Sequence, residues 1–234
     1  MDIRHTNNSS GSSVIVETHS TERELKAKDQ LLLTYSLKYP QFRTEKFNDF
    51  IVKLNLYYST KNTLFQRFDI KRLYQLAYED YEASLKNGYP FRPYEVYRDF
   101  TVTYNKDCII SMYFDTYEYT GGAHGTTVRE ADTWNLSTDS KVELSDLFVY
   151  PKNFDEYVTK DILQQIEENI KEGNNIYFDD FRQTVVEKFN KRDFYLTEEG
   201  IVIFYQLYDI GPYSSGIITF LIPYKEGEVV LPSC

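Results

Sequence analysis

The residues that could carry chemistry are few. Histidine occurs three times, as His5, His19 and His124. A zinc centre needs three or four convergent His, Cys or carboxylate ligands, and the sequence has neither an HExxH nor a CxxC spacing. No metal and no cofactor are expected. A serine nucleophile elbow is missing too: Gly211-Pro212-Tyr213-Ser214-Ser215-Gly216 resembles G-x-S-x-G only superficially, with the wrong spacing. A Ser-His-Asp triad would have to use His124, and Cys108 with His124 is the other formal pair. The phosphate-cradling patterns GxxxxGK[ST] and GxGxxG are absent. The adjacent acids Asp179-Asp180 and Glu198-Glu199 read as solvated surface, because surface carboxylates need no special cause. These residues point away from an enzyme.

One segment stands apart. Residues 117–125 read Tyr-Glu-Tyr-Thr-Gly-Gly-Ala-His-Gly. Gly121 and Gly122 permit positive φ or a close backbone approach. His124, set between small residues, can reach a neighbouring carbonyl or carboxylate. Two readings follow: a special turn with a hydrogen-bonded histidine, or a loop that contacts a ligand.

Composition bounds what the elements can build. The chain has 234 residues, with 26 basic against 36 acidic side chains and a net charge of -10. No run of about 18 apolar residues exists, so no membrane span is expected. The 22 Tyr and 16 Phe are too many for a disordered chain. An acidic surface repels phosphate backbones, which excludes nucleic acid, and attracts a cationic partner. Cys108 and Cys234 do not make a disulfide framework and read as free thiols. Residues 1–13 read as a mobile tail without the apolar stretch of a secretion signal. That segment by itself points to the cytoplasm, unless an upstream anchor has been removed.

The periodicity gives the scaffold. A strand is expected over 14–27 and a half-buried one through Leu31, Leu33, Tyr35, Leu37 and Tyr39, ended by Pro40. Phe47, Phe50, Ile51 and Leu54 open a helix, weakened over Ser59–Thr63 and continued to Leu85, with Asn87-Gly88 as its stop. Strands are expected over 94–104 and 108–119 around Asn105-Lys106-Asp107, and over 124–136. A helical turn at Leu144–Phe148 precedes a helix begun by an Asn153/Glu156 capping box and closed by Gly173. A short helix near 178–188 and strands near 193–197, 200–206 and 217–222 finish the chain. Segregated runs predict an α+β fold of two small subdomains, antiparallel sheets packed with helices, rather than an alternating βαβ sheet. The boundary is set near residue 120, giving domains at 14–119 and 120–234.

Tyr119-Thr120-Gly121-Gly122-Ala123-His124-Gly125 resembles the hallmark of a bacterial domain family. That family forms the non-catalytic N-terminal region of PdaC-type peptidoglycan deacetylases and the extracellular part of RsiV-type anti-sigma factors. Trp134-Asn135-Leu136 with Thr138 and Lys141, Leu144-Ser145-Asp146-Leu147-Phe148, and Tyr208-Asp209-Ile210-Gly211-Pro212-Tyr213 with Gly216 are similar to further family segments. Tyr39-Pro40-Gln41 and Asn48 fit the companion N-terminal domain, so the resemblance covers 30–225. Asp139-Ser140 stands where the family favours glycine. No stretch resembles the deacetylase catalytic domain or a sigma-binding segment, so the resemblance implies neither activity, only a free-standing form of the module.

What the resemblance does imply is a binding module of cell-envelope type. In the RsiV-type branch the partner is lysozyme, a cationic protein. The implied contacts are Tyr119, Gly121, Gly122, His124 and Gly125 in the first motif, and Tyr208, Pro212 and Tyr213 in the second. Tyr213 is either a rigid aromatic anchor or an inward-packed corner residue. A peptidoglycan-binding module, using exposed tyrosines to stack on sugars, is the alternative. A hydrolase built on His124 is the third reading.

Overall fold

A computed structural model describes residues 14–150 and 152–230. The expected tail at 1–13 and Cys234 lie outside the described residues. The fold is α+β. The strands are β1 (Ile15–Ala27), β2 (Gln30–Arg43), β3 (Tyr94–Lys106), β4 (Ile109–Tyr119), β5 (Thr126–Asn135), β6 (Ser140–Lys141), β7 (Phe194–Leu196), β8 (Gly200–Tyr205) and β9 (Ile218–Pro223). The helices are α1 (Asn48–Phe65), α2 (Lys71–Asn87), α3 (Phe154–Lys171) and α4 (Phe181–Lys188). One sheet runs in the order β1-β2-β3-β4-β5-β6 and a second in the order β7-β8-β9. Among the described residues the chain divides into two compact units: 14–100 with 114–127, and 101–113 with 128–230.

In the first unit β1 and β2 form a long antiparallel hairpin, while β2 and β3 pair in parallel, Leu33 beside Tyr94 through Leu37 beside Arg98. The parallel pair is one exception within the expected antiparallel sheets. It makes β2-α1-α2-β3 a single crossover unit, the connection that parallel strands require. Leu33, Tyr35, Leu37, Tyr94 and Val96 share one face and pack on Ile70, Leu73 and Ala77 of the crossover.

The crossover helix does not break at Ser59–Thr63. Thr63 Oγ1 donates to the Ser59 carbonyl at 2.8 Å, so the hydroxyl turns back onto its own helix. The irregularity lies further on, as a π-helical turn over Gln66–Ile70. Its cause is the phase of the apolar residues. Asn62 and Ile70 both face the sheet yet stand eight residues apart, more than two α turns of about 3.6 residues. One wider i→i+5 turn absorbs the surplus and keeps Leu73 and Ala77 inward. Gly88, at φ 76°, closes α2 as expected.

β2 also runs through Pro40 rather than ending there. Its ladder with β3 stops at Leu37, so Pro40 lies past the doubly paired stretch, where a missing N–H is tolerated. The open edge is then closed by a side chain: the Phe42 N–H donates to Asn55 Oδ1 at 2.7 Å, and Asn55 Nδ2 donates to the Phe42 carbonyl at 3.0 Å.

The second unit packs β7-β8-β9 antiparallel. All six residues of β8 are buried, and Phe154, Val158, Ile162 and Ile166 form the inward stripe of α3. Asn153 occupies the N-cap of α3, but its side chain makes no capping bond. The capping box of this region sits one element earlier, between Glu143 and Asp146. The β3-β4 turn falls at Asp107-Cys108, with Asp107 at φ 52°, and Asp139 adopts φ 54° where a glycine would be the easier residue.

Cys108 is not a free thiol: it is fully buried and disulfide-bonded. Its carbonyl accepts the Leu136 N–H at 2.7 Å, so the cross-link sits within a hydrogen-bonded turn. Cys108 should therefore resist alkylation in the denatured, unreduced chain and react after reductant, read by mass spectrometry. Reduction should lower stability by about 2–4 kcal/mol. Equal labelling with and without reductant would remove the cross-link.

Candidate functional site

The first motif closes on itself. Gly121 adopts φ 84°, a conformation that costs glycine little, and lies against Asp80, Tyr94 and the Arg92 carbonyl. The Tyr119 hydroxyl donates to the Gly122 carbonyl at 3.0 Å. Arg92 Nη1 adds donors to both groups at 3.4 Å. Gly125 is buried under the Tyr117 ring, where a Cβ would stand 2.4 Å from ring carbons. Tyr117 in turn stacks on Tyr97 at 6.0 Å. His124 is exposed, with Nδ1 2.9 Å from the Gly125 carbonyl. Arg92 is a structural partner that no local spacing announces.

The second motif is built from a turn that holds a tyrosine outward. The Gln206 N–H donates to Asp209 Oδ2 at 2.9 Å, and the Asp209 N–H returns to the Gln206 carbonyl at 3.1 Å. Inside this turn Tyr208 takes φ 66°, uncommon for a bulky residue, and its side chain is 54% exposed. The half-buried Tyr213 ring lies 5.9 Å from it. Pro212 is exposed and begins a short helical turn, Tyr213–Ser215. Behind them the backbone is tight: a Cβ on Gly211 would meet the Ile176 carbonyl at 2.5 Å, and Ser215 Oγ donates to that same carbonyl at 2.8 Å.

Gln206 also anchors this turn to β5, donating to the Arg129 carbonyl at 2.7 Å and accepting the Arg129 N–H at 3.0 Å. Close by, burial pushes the Asp193 carboxyl up to about 6, helped by the charge of Asp209 and opposed by hydrogen bonds from Gln206 and Asn190.

Five of the eight candidate residues thus lie in the first unit and Tyr208, Pro212 and Tyr213 in the second. None of them lines the cleft of about 370 Å³ formed by Glu167, Ile170, Lys171, Phe178 and Arg182. Among the described residues no three His, Cys, Asp or Glu side chains converge as a metal group. No described helix is long and apolar enough to cross a membrane. The charge is unevenly spread along the sequence. Residues 1–127 hold 16 basic and 16 acidic side chains, whereas 128–234 hold 10 and 20, so the whole net charge of -10 belongs to the segment of the second motif.

Residues 26–127 match the family model described as deacetylase PdaC, and 145–225 match a protein family of unknown function, DUF3298. In this order the two matches resemble a two-domain module of the PdaC type. It is 24% identical over 189 residues to the peptidoglycan-N-acetylmuramic acid deacetylase PdaC of Bacillus subtilis, covering 78% of this chain and 35% of that protein. The module therefore spans about a third of that relative's length. Two solved DUF3298 structures share the fold. One, from Bacteroides fragilis, has a TM-score of 0.64 at 18% identity, over 91% of this chain and 92% of that one. The other, from Pseudomonas aeruginosa, has a TM-score of 0.58 at 20% identity, over 92% and 93%. This pairing of domains indicates a family associated with the cell envelope.

Two measurements check this geometry. Gly125→Ala should cost about 1–3 kcal/mol of stability, because its methyl must displace the Tyr117 ring. Gly122→Ala, whose Cβ meets nothing closer than 3.8 Å, should cost about 1 kcal/mol at most. Equal melting shifts for the two variants would contradict the packing. An Asp whose pKa is raised in the fold binds its proton more tightly folded than unfolded. The charge on Asp193 therefore opposes folding above about pH 6, and that penalty fades as pH falls toward the ordinary 3.8. Asp193→Asn should gain most over the parent at pH 7 to 8, with the gap narrowing by pH 4. A gap independent of pH in thermal melts would overturn the assignment.

Proposed function

We propose that this chain is a binding module of the bacterial cell envelope, working without catalysis, that docks a cationic protein through Tyr208, Pro212 and Tyr213. Lysozyme is the specific partner proposed. The observation that carries the reading is the exposed Tyr208 ring with the half-buried Tyr213 ring beside it, set in the half of the chain that holds all of the net negative charge. Rigid aromatics on a stiff loop are the residues that hot spots use. An excess of carboxylates in that segment of the chain steers a cationic partner and rejects an anionic one. The buried, disulfide-bonded Cys108 supports a place outside the cytoplasm, since such bonds persist in oxidising compartments.

A peptidoglycan-binding reading has one observation of its own. Tyr97 alternates with the buried Val96 and Arg98 along β3, so it points away from the helices, and it is exposed and stacked on Tyr117. Ring faces of this kind suit a sugar.

Calorimetric titration with hen-type lysozyme at low and moderate salt separates the readings. Binding at micromolar affinity or tighter, weakened by salt and reduced about 30-fold or more by Tyr213→Ala, is the expected result. No heat at either salt would end the lysozyme reading. Retention on insoluble peptidoglycan that Tyr97→Ala abolishes would establish the second.

A further inference from the structure

The outer face of α1 is unusual for a solvated helix. Its inward face is satisfied by Phe50, Ile51, Leu54 and Tyr58. Yet Val52, Leu56, Leu64 and Phe68 point outward, with Val52, Leu56 and Phe68 each more than 60% exposed. All four lie on the solvent side of the helix, with Val52 one turn from Leu56 and Leu64 one turn from Phe68. The π turn at Gln66–Ile70 carries Arg67 and Phe68 along that same side before α2 resumes. Exposed apolar residues scattered singly need no cause, but a continuous row on one element does.

The charges along that row are mostly basic. From Val52 to Leu76 the sequence contains Lys53, Lys61, Arg67, Lys71 and Arg72 against the single carboxylate Asp69. Lys53, Arg67, Lys71 and Arg72 are exposed; Lys61 and Asp69 are half-buried. Glu118, on β4, approaches Arg72 at 3.9 Å. This is a net charge of about +4 in a chain of net -10. Arg67 lies over the Phe68 ring at 5.7 Å, so cation and apolar surface are presented together.

We infer that the outer face of α1, continued through the π turn, seats on an anionic lipid surface. Apolar side chains enter the headgroup boundary there while the flanking Lys and Arg stems extend to lipid phosphates. The site requires neither the tyrosine loop nor a protein partner.

Vesicle flotation tests the proposal with the whole chain. Vesicles of phosphatidylglycerol and phosphatidylcholine should carry the protein up the gradient. Pure phosphatidylcholine vesicles should not, and 0.5 M salt should release it. Leu56→Ser with Phe68→Ser should lower the bound fraction at least about fivefold, with the melting temperature of the parent kept. Lys53→Glu with Lys71→Glu, which leaves every apolar residue in place, should weaken binding at least about tenfold, as each basic residue near an anionic surface contributes about a factor of five. Absence of flotation, equal flotation on both lipids, or charge-reversal variants that bind like the parent would each overturn it. So would a self-associated chain in sedimentation velocity that becomes monomeric on Leu56→Ser with Phe68→Ser, because the face would then be an interface between two copies.

Discussion

Parallel pairing of β2 with β3 is the constraint from which the first unit follows. Parallel neighbours cannot be joined by a tight turn; the chain must travel back to its starting end. The α1–π–α2 segment is that return, and it must keep one face on the sheet for its whole length. A straight α-helix would rotate Ile70 out of register with Asn62. The sequence places its inward residues eight apart at this point, and the π turn is the backbone's response to side chains that must bury. The apolar packing of Leu33, Leu37, Leu73 and Ala77 thus determines the local backbone geometry.

The same accounting of backbone groups explains how the second motif holds its shape. Tyr208 sits at a positive φ that its side chain disfavours, and Asp209 and Gln206 bracket it with mutual bonds. Gln206 then spends its carboxamide on both backbone groups of Arg129. A turn fixed at both ends can hold an aromatic ring in solvent without collapsing onto the core. Such an arrangement loses little backbone freedom when a partner docks, which favours binding by a preorganised surface.

Much of this architecture was legible from residue patterns. The strands β3, β4, β5 and β7–β9, the α3 stripe and the Gly88 stop all follow from periods of two and 3.6 with ordinary turn residues. What escaped is non-local. Pro40 reads as a strand end because proline lacks a donor, but only the ladder with β3 determines whether that donor is needed. The weakening expected over Ser59–Thr63 rests on polarity, whereas hydroxyl back-bonding lets such residues stay helical. Cys108 reads as a buried thiol because spacing says nothing of pairing between two cysteines. Arg92 supports the glycine motif from the loop before β3, 27 residues from Tyr119, and no short sequence window contains both. The uneven charge was readable by counting along the chain; a single net value concealed it.

The glycine–histidine motif is the most conspicuous sequence feature, yet folding accounts for most of its residue types without a ligand. Gly121 is required by its φ, Gly125 by the Tyr117 ring above it, and Tyr119 by the carbonyl of Gly122. Each would be needed to close this turn whether or not anything binds there. Of the five residues, His124 alone has its side chain in solvent, and one ring nitrogen already faces the Gly125 carbonyl. Conspicuous spacing therefore marks where the backbone is most constrained. The surfaces with the strongest physical claim on a partner are less conspicuous in sequence: a tyrosine held out by a bracketed turn, and a helix face whose apolar residues look away from the core.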